Sequence, residues 1–463
     1  MTQRIVIVGA GISGLSAAYR VQQRLPTAEV RVLEAGSHPG GTIGTVRRDG
    51  FQVEIGPNGF LDTKPTTLEL AQDVGLREHL VAARESAGKN RYLFLGDKLE
   101  RLPSGPMDLL KSPLLSWRGK LSFLCERFRG RGRADADESI DAFARRRAGA
   151  EVAETFADAM VTGIFAGDPG RLSLPACFPR VAALEREHGS VLKGFARAAK
   201  QRRADAKARG VPYERPGKLW SFREGLGLLV DTLAQRLRTP PEYGVAVRRL
   251  RKADDGTWTV VGEGTQCWPA DAVVLTCPAH QQVGILEEID EALARRIAEI
   301  PFNRIAVIAV AFRAVDVRTS VDGFGFITPQ RLGRDLLGVQ WCSSIYPGRA
   351  PEGTVLMRAM CGGWKRGDMV GWDDERLLSA VRAELRLAMG IEAAPVFHYI
   401  VRWERGIPQY HLGHLERLDW INERLARHPR LYLAGNSYRG VAMNECTEQA
   451  SLLAERLARE CAS

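Results

Sequence analysis

The chain has 463 residues, 45% hydrophobic and 26% charged. At roughly 100–200 residues per domain, two or three globular domains with a real core are expected, and a disordered chain is excluded. Sixty-five Lys and Arg against 55 Asp and Glu give a net charge of +10. That balance favours anionic partners, but no nucleic-acid motif accompanies it, so nucleic acid is not an expected partner.

The eight cysteines stand at 125, 177, 267, 277, 342, 361, 446 and 461, with no CxxC pair. Neither a zinc nor an iron–sulfur site is expected from such spacing. His411 and His414 approach a metal spacing, but Gly413 between them and the lack of a nearby acid cluster argue against one. The start, MTQRIVIVGAG, carries no signal-peptide pattern. No uncharged apolar run reaches the ~18 residues of a membrane span. The expectation is a cytoplasmic protein, soluble or peripheral on the inner face of the cell membrane.

Ile5 to Val8 is an unbroken β-branched run, as in a strand buried on both faces. Gly9-Ala10-Gly11-Ile12-Ser13-Gly14 follows, then LSAAYRVQQRL at helical spacing. Gly9 suits the tight turn, Gly11 lets a pyrophosphate approach the backbone, and Gly14 lets helix pack close on strand. The helix start offers free N–H groups and a positive dipole end to phosphate. A second strand, Glu29 to Leu33, ends at Glu34, where a ribose-binding carboxylate belongs. Strand, glycine turn, helix, second strand and acid together predict dinucleotide binding.

Glu34-Ala35-Gly36-Ser37-His38-Pro39-Gly40-Gly41-Thr42 supplies a second glycine pair. Phe51, Val53 and Ile55 alternate as in a half-buried strand, and Gly56-Pro57-Asn58 reads as a turn. Pro65 to Val74 reads as a helix stopped by Gly75. Residues 86–217 read as helical. Within them, Leu109, Leu110, Leu114, Leu115, Trp117, Leu121, Phe123 and Leu124 interleave with Lys111, Arg118, Lys120 and Arg127. This mixture suits either a subdomain core or a membrane-surface patch meeting anionic headgroups. Lys200 to Gly217 reads as a linker. A helix from Arg223 to Leu237 and strands at Val245–Leu250, Trp258–Val261 and Ala272–Thr276 follow. Arg304–Phe312, Phe324–Ile327, Leu337–Cys342 and Thr354–Met360 continue as an antiparallel pattern. Leu431 to Asn436 is a strand entering a turn, ahead of a terminal helix.

The two glycine loops resemble those of the flavin amine oxidase, phytoene desaturase and protoporphyrinogen oxidase superfamily. In that family the second pair lies along the FAD pyrophosphate, with Arg where this chain has His38. Shorter stretches resemble the oxygen-dependent protoporphyrinogen oxidases in particular: Asn90-Arg91-Tyr92, Gly163 to Asp168, Leu172-Ser173, Gly323 to Phe326, Ile407 to Tyr410, Leu412-Gly413-His414 and Gly440 to Asn444. They span nearly the whole chain.

The resemblance implies an α/β fold with three parts. These are a discontinuous Rossmann-like FAD-binding domain (1–85, 218–300 and 400–463), a helical subdomain that contacts membrane or substrate (86–217), and an antiparallel-sheet substrate domain (301–399). FAD, held without a covalent bond, would be contacted by Gly9, Ala10, Gly11, Ile12, Ser13, Gly14, Glu34, Ala35, Gly40, Gly41, Thr42, Gly56, Pro57, Asn58, Val247, Trp403, Gly435, Val441, Ala442 and Met443. Arg91 would bind a propionate of the substrate through its guanidinium fork. Met160, Gly163, Phe324, Gly325 and Ile327 would line a flat apolar pocket for the macrocycle.

No catalytic side chain and no metal are implied, because the flavin carries the chemistry. The implied reaction is a six-electron oxidation of protoporphyrinogen IX to protoporphyrin IX in three flavin cycles, with dioxygen reduced to hydrogen peroxide. Coproporphyrinogen III is the nearest alternative substrate, and a non-catalytic porphyrin-binding flavoprotein is an alternative of another class. A homodimer and an anionic membrane surface are further candidate partners.

Overall fold

The structure is a computed structural model, and it describes residues 3–132, 137–208 and 217–462. The chain divides into two compact units. One comprises Met1–Ala82, Leu219–Pro301 and Glu416–Ser463, and the other comprises Ala83–Lys218 and Phe302–Leu415.

The first unit is built on five parallel strands in the order Glu242–Tyr243, Glu29–Glu34, Arg4–Val8, Ala272–Leu275 and Leu431–Leu433. Ile5, Ile7, Val32 and Val274 are buried, as expected for strands covered on both faces. The helix Ile12–Arg24 presents Ile12, Leu15, Ala18 and Val21 to the core, and the helix Met443–Ala462 shares that core through Cys446, Ala450 and Leu457. Arg249–Lys252, Trp258–Val261 and Cys267–Ala270 form an antiparallel meander.

The hairpin Thr45–Arg48 with Phe51–Glu54 turns on Asp49 and Gly50, both at positive φ (53° and 80°). An Asp-Gly pair suits a two-residue turn of this hand. The alternation at 51–55 predicted a half-buried strand, but Gln52 and Glu54 are buried as well. Their polar ends are satisfied: Gln52 Nε2 donates to Arg223 O, and Glu54 accepts from Thr45 Oγ1 and Leu226 N.

The second unit holds a seven-stranded sheet, in the order Phe397–Trp403, Arg304–Arg313, Thr354–Gly363, Leu336–Gln340, Gly325–Ile327, Arg91–Leu95 and Lys98–Arg101. Its pairs are antiparallel except Gly325–Ile327 with Arg91–Leu95, which is parallel. The helix Asp374–Met389 covers one face with Leu377, Val381 and Leu385, four residues apart. Asp373 caps it by accepting from Arg376 N, and Gly390 (φ 66°) ends it.

Four expectations change. Residues 86–101 are not helical throughout, because Arg91–Leu95 and Lys98–Arg101 join the sheet. The helical stretch behind them falls in the same compact unit as that sheet, not in a third domain. The strand Phe397–Trp403 pairs with Arg304–Arg313, so the boundary expected near 400 lies at 415/416. The expected linker from Lys200 also changes: Val191–Ala208 is one helix, while 209–216 lie outside the described residues. Beneath the helices, buried Arg147 pairs with buried Glu126 and donates to Arg129 O and Gly189 O. No helix among the described residues is long and apolar enough to cross a membrane.

Candidate functional site

The strand ends of the first unit meet at the two glycine loops. Gly9 (φ 105°) leaves the first strand with its N–H donating to Leu33 O at 2.7 Å, and a Cβ there would stand 2.9 Å from Cys277 N. A Cβ on Gly14 would fall 2.0 Å from Gly9 O, so close packing of helix on strand requires glycine there. Gly11 precedes the helix with no side chain capping its N–H groups and no acid in the first turn. Around Gly11 a Cβ would meet only Gly40 O, at 4.0 Å.

The second glycine pair folds back onto the first. Gly40 N donates to Ala10 O at 2.8 Å, and a Cβ on Gly41 would stand 3.6 Å from Gly11 Cα. Gly11 and Gly41 therefore present open backbone on facing loops, which fits the diphosphate of a dinucleotide. Gly40 itself needs its positive φ (111°), and a Cβ there would meet Ile43 O at 2.2 Å.

Glu34 ends the second strand. One carboxylate oxygen accepts from Ala10 N and the other from Gly36 N, both at 2.7 Å. Each oxygen keeps a lone pair for a further donor, and the group is fixed in direction before any ligand arrives. Ala35 beside it and Thr42 at the end of the loop are exposed. Val245 N donates to Glu34 O, and Val247, two residues on, is half-buried. His38 is exposed, its Nδ1 3.2 Å from Pro39 O. Behind the loop, a cavity of about 530 Å³ is lined by His38, Thr45, Arg47, Glu224, Leu228 and Asp231.

Gly56 packs against the second loop, since a Cβ there would be 1.9 Å from Thr42 O. Pro57 is half-buried, and Asn58 is buried with no hydrogen-bond partner for its Nδ2 among the described residues. A buried donor of this kind costs free energy unless something accepts from it, so this turn too fits a bound heterocycle. Gly435 (φ 105°) follows the last strand and packs on Thr276 O. Val441 is half-buried and Ala442 exposed, whereas Met443 is buried in the core of the unit at the start of its helix. Burial pushes the Cys277 thiol up to about 12 and the Cys446 thiol up to about 11, so both stay protonated.

The second unit brings the expected substrate residues together. Arg91 opens its strand in register with Gly325, and its guanidinium carbon lies 4.8 Å from the centre of the Phe324 ring. Its Nε donates to Ala87 O at 3.4 Å, and it forms no ion pair among the described residues. Part of the side chain reaches solvent, yet burial around the guanidinium lowers its pKa and no carboxylate offsets that. Beside this pair, the helix Asp158–Phe165 exposes Met160, Gly163 and Ile164, spaced i, i+3, i+4. A Cβ on Gly163 would lie 2.7 Å from Ile327 Cδ1.

Gly325 has another reason to be glycine: its φ is 126°, and a Cβ would strike Val339 O at 1.9 Å. Trp403 ends the edge strand of the same sheet and packs, half-buried, on the cluster of Ala166, Ile305, Val307 and Leu337. Sequence reasoning did not single out Ile164, nor the buried amides Asn303 and Gln330. His411 packs edge-on to Trp364, and His414 stacks flat on Tyr410 at 4.2 Å.

Several stretches with the narrower resemblance contact one another. Phe324 N donates to Asn90 O, Asn303 and Gln409 both donate to Phe165 O, and Ser173 N donates to Tyr410 O.

A family profile described as flavin containing amine oxidoreductase matches residues 12–458. A relative from Staphylococcus aureus named coproporphyrinogen III oxidase is 31% identical, over 99% of this chain and 100% of its own length. A chloroplastic protoporphyrinogen oxidase of Oryza sativa is 32% identical, over 96% of this chain and 86% of its own. A solved structure from Exiguobacterium sp. 255-15, provisionally assigned as a protoporphyrinogen oxidase, superposes with a TM-score of 0.84 at 26% identity, covering 99% of both chains.

Proposed function

The chain belongs to the flavin-containing amine oxidoreductase family and is an FAD-dependent oxidoreductase, and from that premise we propose that it oxidises protoporphyrinogen IX to protoporphyrin IX with dioxygen as acceptor. The observation that carries the substrate assignment is Arg91, a guanidinium with no acidic partner among the described residues, lying on Phe324 beside the open face of Met160, Gly163 and Ile164. An apolar disc with carboxylates on one edge complements that combination.

FAD, when bound, supplies the two-electron redox chemistry. The facing glycine loops would hold its diphosphate, Glu34 its ribose, and the Gly56–Asn58 turn its ring. On the substrate side, the apolar face excludes water from the macrocycle, and Arg91 fixes its rotation by gripping a propionate. Six hydrogens leave the porphyrinogen, so three dioxygen molecules give three of hydrogen peroxide.

A second reading, coproporphyrinogen III as substrate, is favoured by the similarity to the Staphylococcus aureus relative and to another from Bacillus subtilis, both named coproporphyrinogen III oxidase. The test is kcat/KM for each porphyrinogen, measured separately by porphyrin fluorescence under air. A higher value for protoporphyrinogen supports the first reading, and a higher value for coproporphyrinogen replaces it with the second.

The same proposal includes a peripheral position on an anionic lipid surface. Trp117, Leu121, Leu124 and Phe128 are 77%, 63%, 47% and 73% exposed, at i, i+4, i+7 and i+11 along the helix Trp117–Leu124 and the turn after it. Arg118 and Arg127 are exposed beside them. Apolar side chains at one level with basic groups at their margin suit an interface with anionic headgroups. The mixture that suited either a subdomain core or a lipid surface divides here between the two. Lys120 is buried and donates to Leu110 O, and Leu114 and Leu115 belong to the core.

A further inference from the structure

The helix Asp158–Phe165 is pinned at both ends by groups from distant parts of the second unit, side-chain amides at one end and backbone N–H groups at the other. At its C-terminal end, three successive carbonyls accept from three amides. Asn303 Nδ2 donates to Phe165 O at 2.7 Å and to Ala166 O at 3.2 Å. Gln409 Nε2 donates to Phe165 O at 2.9 Å, and Gln330 Nε2 to Gly167 O at 2.6 Å. All three amides are buried. At the N-terminal end, the buried Asp158 carboxylate accepts from Gln330 N at 3.3 Å and Arg331 N at 3.0 Å. The loop after Ile327 therefore grips both ends of the helix, while Ile327 itself sits against Gly163 in the middle.

Stability alone is a poor reason for this arrangement. A helix end is ordinarily closed by glycine in the left-handed region, whereas here Ala166 takes that conformation, at φ 44°. The oxygens Gln330 Oε1 and Gln409 Oε1 are buried with no hydrogen-bond partner among the described residues. Just before the helix, Ala153–Ala157 forms a π-turn, a feature that recurs at functional sites. Breaches of local preference gathered at one element mark a place where geometry is held against cost. The element so held carries the open face of Met160, Gly163 and Ile164.

We infer that Asn303, Gln330 and Gln409 are positioning residues that set substrate affinity by fixing this face. The inference rests on reading the face as the wall for the macrocycle. None of the three needs to touch substrate, because each acts through the helix end.

The test uses the full chain loaded with FAD. Asn303→Asp keeps the shape and the acceptor for Ile407 N, but turns an oxygen toward two carbonyls in place of a donor. Gln409→Met keeps the volume and removes the donor. In each variant KM for the porphyrinogen should rise about 10-fold, as loss of a buried hydrogen bond allows. kcat should stay within about twofold, with FAD occupancy unchanged.

Unchanged KM in the loaded variants overturns the inference, as does a joint loss of kcat and FAD with KM unmoved. If Asn303→Asp does not fold, Gln409→Met decides by the same criteria. Wild-type protein that oxidises neither porphyrinogen sinks the functional reading, and this inference with it. Active wild type with unmoved variants sinks the inference alone.

Discussion

Replacing Arg91 removes a positive group that the proposed site offers a propionate. The guanidinium lies on Phe324 and donates only to Ala87 O, at 3.4 Å, so most of its donors remain free for a ligand. Loss of a charge-assisted pair costs roughly 1.5–3 kcal/mol, or about 10- to 150-fold in kcat/KM. Arg91 is exposed, and solvent screening pulls the expectation to the low end, about 10- to 30-fold. Loss of the stacking on Phe324 adds about 0.5–1 kcal/mol to folding rather than to recognition. Arg91→Met separates the two effects, because it keeps an apolar stem over the ring and removes the charge. Arg91→Lys should recover only part of the loss, since a point charge cannot reproduce the fork. The assay is steady-state porphyrin fluorescence on variants matched for flavin content. Wild-type kcat/KM in Arg91→Ala would refute the reasoning and send the carboxylate contact elsewhere.

Glu34→Ala should weaken FAD binding by roughly 10- to 150-fold, the equivalent of about 1.5–3 kcal/mol, and leave the porphyrinogen KM of the loaded enzyme unchanged. Titration of apoprotein with FAD measures it, and an unaltered Kd would remove Glu34 from the ribose. The pair Trp117→Ser with Leu121→Ser should lower partitioning onto anionic vesicles at least about 10-fold, given about 1.5–3 kcal/mol for each large apolar side chain buried; flotation equal to wild type counts against the lipid surface. Burial pushes the Asp290 carboxyl up, but hydrogen bonds from Arg424, His428 and Leu293 N outweigh it and hold the group at about 2. A depressed pKa contributes stability above the ordinary value near 3.8 that is lost as pH falls through about 2. Asp290→Asn should therefore be less stable than wild type by about 2 kcal/mol at neutral pH, with a gap that closes between about pH 4 and pH 2. A gap that stays constant over that range contradicts the assignment.

The parts of the site governed by short-range backbone rules were legible in the sequence. Gly9 and Gly14 announce their geometry because each has a steric reason within a few residues or across one strand, whereas Gly11 stands out by its place in the glycine pattern and by the open space around it. Glu34 was legible as the end of a strand, although its hydrogen bonds to Ala10 N and Gly36 N were not. Arg91 was different: nothing local marks it, and only resemblance raised it above a surface arginine beside Lys89. The amides Asn303, Gln330 and Gln409 show no periodicity, and their targets lie 138, 163 and 244 residues away. A resemblance signal was available for Gln409 through Ile407-Pro408-Gln409-Tyr410, without a role attached. Lys200 to Ala208 misled by composition. Its charges sit on a solvated helix, and polarity alone does not separate such a helix from a linker. The sheet strand Arg91–Leu95 was hidden because its partner, Gly325–Ile327, lies more than 200 residues on, and long-range pairing overrides local pattern; Lys98–Arg101 joins the sheet only through its hairpin with Arg91–Leu95.

The central claim is that this flavoprotein takes electrons from a porphyrinogen. The most direct test mixes FAD-loaded protein with protoporphyrinogen IX in the absence of oxygen, while flavin absorbance and porphyrin fluorescence are followed together. The visible flavin band should bleach on mixing. Admission of air should restore it, with fluorescent porphyrin and hydrogen peroxide accumulating over repeated turnovers. A flavin band unchanged by both protoporphyrinogen and coproporphyrinogen, in protein shown to be fully loaded and folded, would contradict the claim.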